Sequence, residues 1–265
     1  MTDKPIIDLN YLNLLFAYGV FLLAVGLSRL RGIGEARGML WASVRMVVQL
    51  FAVGYLLRWI FAIRHPLPTI LILLVMGGFA LQVLAGQIKN RIPAFYRVVS
   101  ASLFLGCGGV TFYFCLAVVR PSPWYDPRYL IPLAGMIIGN SMNAACLAAE
   151  RLSAEMRERR EEIETALCLG AASRTACDSA MRGAFRAALL PVTNTMAAMG
   201  IVTLPGMMTG QILSGADPLT AVKYQLAIMF AILGSVAATS FLILLLGYRY
   251  YFTSAHQLRD PAQLP

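Results

Sequence analysis

Four groups of residues in this chain have types and spacings that could do chemistry. Glu164-Thr165-Ala166, then three residues, then Gly170-Ala171 and Arg174, fall in the one long polar stretch, residues 150–186. Met136, Asn140 and Asn143 recur at steps of four and three inside an apolar run, which places them on one helix face. An amide in lipid is costly unless bonded, so such a face should meet protein or a water-filled path. A later apolar run carries Asn194 and is interrupted at Pro205-Gly206, just before Met207, which makes Leu204–Gly210 an expected hinge or substrate-facing break. Proline removes an intrahelical hydrogen bond and clashes with the preceding turn. Breaks of that kind are tolerated in membranes where the freed carbonyls meet protein or line a cavity. Arg45 and Gln49, four apart in a fourth place, suit either an interfacial Arg or contact with an anionic group.

Other chemistries are absent from the pattern. No Asp, Glu or His lies deep in an apolar run; Glu150 stands at a run's end, and His65 and His256 lie in polar links. Hard and borderline metal ions prefer carboxylate and imidazole, so no dedicated metal set can be named. The donors available inside the runs are Asn amides, Thr hydroxyls, Cys thiols, backbone carbonyls and the thioethers of Met136, Met142, Met196, Met199, Met207 and Met208. Methionine is also ordinary core filler. Five cysteines include no C-x-x-C pair, which indicates neither a disulfide scaffold nor a zinc site. No Ser-His, Cys-His or paired-carboxylate constellation is available, so no catalytic residue is assigned and the chain is not read as an enzyme.

The elements that must position these groups are membrane helices. Of the residues, 58% are apolar and 13% charged, too few charges to coat a soluble globule of 265 residues. Seven apolar runs stand out: Leu9–Leu27, Met39–Ile60, Leu67–Gly86, Val98–Val119, Tyr129–Ala149, Ala187–Leu213 and Ala221–Gly247. A bilayer core of about 30 Å needs roughly 20 apolar residues in a helix. Backbone groups in lipid must be satisfied within the segment. The expectation is an all-α polytopic membrane protein of about seven transmembrane helices, forming one transmembrane domain over 1–265.

Lys and Arg set the orientation. Of 22 such residues, 15 fall on one side (among them Arg31, Lys89, Arg91, Arg151 and Arg186) and 6 on the other (Lys4, Arg58, Arg64, Arg120, Arg128 and Lys223), with Arg45 inside a run. This predicts an outside N-terminus, a cytosolic C-terminus and a cytosolic stretch 150–186. The net charge of +9 is therefore topology charge rather than the footprint of a nucleic-acid partner.

The stretch 150–186 reads as a helical hairpin. Glu155–Arg159, Arg157–Glu161 and Arg160–Glu164 are pairs four apart, each contributing about 0.2–0.5 kcal/mol. Gly170 suits a helix C-cap and Ser173 the next N-cap. Arg174, Asp178, Arg182 and Arg186 form a charged stripe opposite Ala176, Ala180, Ala184 and Ala187. Such a hairpin is either a solvated connection or a docking element for a soluble partner.

The E-T-A-x-x-x-G-A pattern at Glu164–Ala171 resembles the coupling motif of ABC importer permeases. More of the chain resembles the FetB-type ABC permease family. The likeness is carried by Ile131–Asn143 (IPLAGMIIGNSMN), Leu204–Pro218 (LPGMMTGQILSGADP), Ala221–Gln225 (AVKYQ), and Trp41, Arg45, Gln49-Leu50 and Gly54-Tyr55. The resemblance implies the membrane subunit of an ABC transporter for metal (iron) export in a bacterial inner membrane. Plant relatives of that family are linked to aluminium tolerance and sugar-nucleotide transport. It also implies a homodimer and a separate ATPase subunit that binds ATP and Mg. In agreement, no G-x-x-x-x-G-K-[ST] occurs, so this chain has no P-loop of its own. Glu164, Ala166, Gly170, Ala171 and Arg174 would then contact the ATPase. The alternative is a secondary transporter or channel acting without an ATPase, for which an intramembrane charge is expected and Arg45 is the candidate.

Overall fold

The computed structural model describes residues 10–30, 32, 36–63, 65–87, 93–253 and 255–259. Lys4, Arg31, Arg64, Lys89 and Arg91, counted for orientation above, lie outside the described residues. Among the described residues the chain is helical, with no strand beyond two isolated bridges.

Six helices are long and apolar enough to cross a membrane, spanning Tyr11–Leu30, Ala36–Phe61, Pro66–Gly86, Tyr96–Val119, Pro127–Glu158 and Pro218–Tyr251. They correspond to α1 (Tyr11–Leu30), α2 (Ala36–Ala62), α3 (Pro66–Gln87), α4 (Pro93–Tyr113, continued by a π-helical turn Phe114–Val119) and α5 (Pro127–Glu158). Between α5 and the last long helix come α6 (Arg160–Cys168), α7 (Ser173–Ala176), α8 (Asp178–Ala198) and α9 (Gly206–Leu213). The last is α10 (Pro218–Gly247). Asp126 and Asp217 cap the starts of α5 and α10, accepting from Arg128 N and Thr220 N at 3.0 Å, each followed by a proline in the first turn.

The expected seventh span, Ala187–Leu213, is not one helix. Its first half belongs to α8 and its second to α9, with a turn between. The turn forms because Gly200 takes φ +85°, a left-handed conformation that costs glycine little, and so ends α8. Gly200 N then donates to Thr203 O at 2.9 Å, and Pro205 O accepts from Thr209 N at 2.9 Å as α9 begins. The expected break over Leu204–Gly210 is thus displaced toward the N-terminus, to Met199–Pro205. Pro205 stands ahead of a helix, where its missing N–H costs nothing, rather than inside one.

The chain divides into two compact units. The first contains α1 and α2, where Tyr18 Oη and Ser43 Oγ share a hydrogen bond of 3.1 Å. The second unit runs from His65 to Ile212 and from Ala216 onward. In it α10 lies at the centre, packed on α4, α5 and α8. Close approach is achieved with small residues. A Cβ at Gly106 of α4 would collide with Thr239 Oγ1 of α10 and stand 2.8 and 2.9 Å from Thr239 N and Cα. Ser141 and Ser235 join α5 to α10 through a buried hydrogen bond of 2.6 Å. Gly135 of α5 meets Met76 of α3, where a Cβ would stand 3.0 Å from the methyl, while Gly139 faces open space.

The segment after α10 folds back. Tyr251 and Phe252 are buried in the same core cluster as Ile163 of α6 and Ala176 and Cys177 beside α8. Tyr251 Oη donates to Ser153 Oγ at 3.2 Å, and Arg160 Nη1 donates to Arg259 O at 3.0 Å. A helix crossing a membrane changes side. Since α10 returns the chain to the end occupied by α6 and α7, the discontinuous pair α8–α9 must carry it across beforehand.

Candidate functional site

Two places gather the residues singled out in the sequence: the hairpin tip and a cavity within the second unit.

The hairpin grows directly out of α5, whose 32 residues continue past the apolar run. It bends at Arg159, then α6 runs to Cys168. The turn is closed by two hydrogen bonds of 3.0 Å, Gly170 N to Leu167 O and Ala171 N to Ala166 O. With Gly170 at φ +88°, this is the Schellman arrangement expected of a C-cap glycine. Ala172, not Ser173, precedes the first turn of α7. Ser173 instead shares a hydrogen bond of 2.9 Å with His256 Nδ1 of the returning tail.

Glu155 supports the bend. It is buried, paired with Arg151 at 2.6 Å and Arg159 at 2.7 Å, and its Oε1 would stand 2.8 Å from a Cβ at Gly183 of α8. Gly183 thus lets α8 pack against a carboxylate held by two guanidinium groups. Of the other expected pairs, Arg160–Glu164 forms at 2.7 Å, and Asp178 pairs with Arg182 at 2.7 Å. The alanine stripe is buried as expected, but its fourth member is Ala188; Ala187 is half-buried. The tip itself is open: Glu164 and Ala166 are half-buried, Gly170 and Arg174 exposed, and Leu169 is 84% exposed. An exposed leucine beside the turn is a feature the sequence reading missed. Its signal was an apolar residue directly before the turn glycine of a polar hairpin.

The cavity has a volume of about 170 Å³. Met136 and Asn140 reach it from α5, and Thr195 from α8. The turn between α8 and α9 contributes Met199 and Pro205, and the start of α9 contributes Gly206 and Met207. From α10 come Gln225 and Met229. Met136 and Asn140 stand about 14–20 Å along α5 from Pro127, near mid-span. Asn140 Nδ2 donates to Met136 O at 2.8 Å, which ties the amide to its own helix. Gly206 and Gly210 have open space where a Cβ would go, so close packing does not explain them.

Gln225 is 6% exposed. Its Nε2 donates weakly to Met199 Sδ at 3.9 Å, while its Oε1 has no hydrogen-bond partner among the described residues. A buried acceptor left so costs about 1–3 kcal/mol.

Asn143 and Asn194 do not line the cavity; both are exposed. Arg45 and Gln49 lie on α2 in the first unit, both exposed. Among the described residues no group of three or more His, Cys, Asp or Glu could hold a metal ion.

A second cavity of about 280 Å³, between α3, α4 and α5, is almost wholly apolar in its lining.

Known proteins share this sequence over nearly its full length. The model of the Uncharacterised protein family (UPF0014) matches residues 11–252. The UPF0014 membrane protein slr1647 of Synechocystis is 38% identical over 260 residues, covering 97% of this chain and 99% of that one. The Probable iron export permease protein FetB of Escherichia coli is 30% identical over 246 residues, 93% of each chain. The Protein ALUMINUM SENSITIVE 3 of Arabidopsis thaliana is 33% identical over 240 residues, 91% of this chain and 86% of the other. No solved structure matches. A multi-span helical bundle whose similarity to these membrane proteins extends from its first helix to its returning tail belongs to the UPF0014 family.

Proposed function

We propose that this chain is the permease subunit of an ABC transporter in a bacterial cytoplasmic membrane. It works as a homodimer and exports a metal ion or related small solute, with ATP and Mg bound by a separate ATPase chain. The observation that carries this reading is the braced hairpin. α5 extends beyond the membrane as a stiff rod, and its load is shared by α8 through Glu155 and by the tail through Arg160 and Ser173. It ends in an exposed turn at Leu169-Gly170. A merely connecting loop would not need three separate supports. Glu164, Ala166, Gly170, Ala171 and Arg174, with Leu169 added, form the ATPase contact. Kinship with a protein named as a probable iron export permease supports the transport role. The deciding experiment is affinity purification from native membranes. A nucleotide-binding subunit is expected to accompany the chain, and transport in its absence would favour the secondary-transporter reading instead.

The hairpin's side is tested by its cysteines. Cys168 is exposed near the tip, whereas Cys177 is buried and burial pushes its thiol up to about 12. Thiolate is the reactive form. A membrane-impermeant maleimide at pH 8 should label Cys168 in inside-out vesicles, spare it in intact cells, and leave Cys177 unmodified in both. Labelling of Cys168 from outside intact cells would refute the cytosolic placement.

The cavity is the solute path in this reading, with Met136, Asn140, Pro205, Gly206 and Met207 on its wall. Asn143 and Asn194 stand outside the cavity wall and remain pathway candidates, as do Arg45 and Gln49 on α2. Pro205 fixes φ where the chain leaves the turn for α9. Pro205→Ala should lower transport several-fold while the amount of protein in the membrane stays the same. Unchanged transport would remove the turn from the mechanism.

A further inference from the structure

We propose that the cavity between α5, α8, the α8–α9 turn and α10 binds a soft monovalent cation of the Cu(I) type, held by methionine thioethers and the Gln225 carbonyl oxygen. This rests on the transport reading and names the class of solute.

The donor set is unusual. Of the chain's 13 methionines, four converge on this one cavity: Met136, Met199, Met207 and Met229. Methionine as core filler closes gaps; here four of them border a volume left open. The remaining polar wall consists of neutral groups, the amides of Asn140 and Gln225 and the hydroxyl of Thr195. Gln225 is the second, independent sign of a ligand. It is buried, it lines the cavity, and its Oε1 lacks a partner among the described residues. An acceptor in that position suits a cation or a donor from a bound species.

Softness and charge narrow the choice. Thioethers select soft ions, whereas iron and aluminium ions favour carboxylate and other oxygen or imidazole donors. The cavity offers no carboxylate and no imidazole. Taking an ion out of water becomes steeply more costly with charge, and neutral donors return less of that cost than anionic ones. A wall of neutral thioethers and amides therefore fits a singly charged soft ion far better than a divalent or trivalent hard one.

The probe is Ag(I), a redox-inert ion of the same softness. The full-length chain, with the exposed Cys168 changed to Ser, is labelled with ¹³C at the methionine ε-methyl groups and titrated in lipid nanodiscs. The signals of Met136, Met199, Met207 and Met229 are assigned by single Met→Leu changes, which conserve volume. All four should shift together and saturate at one Ag(I) per site, with those of Met181 and Met208 unmoved. The Met199→Leu/Met207→Leu double variant should weaken Ag(I) binding on the order of tenfold or more, a difference readable directly as a ratio of Kd values. Four unmoved signals, shifts spread equally over methionines outside the cavity, or equal shifts with Fe(II) would each overturn the proposal. The readout is independent of the ATPase: a chain that recruits an ATPase but ignores Ag(I) loses this site and keeps its coupling role.

Discussion

The Gly170→Asp/Arg174→Glu double variant should reach the membrane in normal amount, lose its ATPase on purification and transport nothing above background. Gly170 stands at φ +88°, where a residue with a Cβ is strained, though Asp tolerates the region better than most. A Cβ there meets no neighbour, so the fold should survive. Arg174 is exposed one short turn beyond, and its reversal together with the new Asp makes the tip acidic. One new negative charge and one reversed charge at an interface act on assembly through repulsion and lost pairing rather than on the buried supports. The control is Gly170→Asn, which keeps the left-handed cap and adds no charge; it should retain the ATPase. Co-purification and transport of the double variant at the parental rate would end the coupling role of the tip.

Gly106→Val should have the largest effect on stability. The Cβ alone would come within 2.8–2.9 Å of Thr239 backbone atoms, which cannot swing aside as a side-chain tip can. α4 and α10 would have to separate, and α10 is the central helix of its unit. Overpacking of this kind costs about 1–3 kcal/mol, sometimes more. A lowered melting temperature and a smaller monodisperse fraction in detergent should both be seen. Gly108→Ala, two residues along and facing open space, should leave both within experimental scatter. If Gly106→Val melts with the parent, the α4–α10 contact is not tight in solution.

Much of the fold could be read before any coordinates, because lipid permits few solutions. Length and hydropathy located all seven runs, and the hairpin followed from Gly170 and the alternating stripes of α8. Glycine at a helix end and alanine every fourth residue have one cheap use each, and both were found in that use. The turn between α8 and α9 was misplaced because Pro205 is the louder signal. The residue that ends α8 is Gly200, and a lone glycine in a membrane helix reads equally as a packing site. Half of the cavity was legible: Met136, Asn140, Pro205, Gly206 and Met207 were singled out. Gln225 and Met229 were not, because α10 is apolar almost all round and so points no face in any direction. An amide among its apolar residues was the available clue. Asn143 was paired with Asn140 by helical spacing, yet three residues turn a side chain far enough round the axis to miss a narrow cavity. The bracing of the hairpin by His256 and Arg259 was beyond sequence reasoning, since a contact across 83 or 99 residues leaves no local trace.

That bracing has a bearing on biogenesis. The hairpin leaves the ribosome well before the segment that locks it, from Tyr251 to Arg259. A nascent or prematurely terminated chain therefore carries the tip without its lock. Until translation has passed Arg259 the hairpin is held by α8 alone, so the turn at Gly170 gains its full rigidity only after α10 has been made.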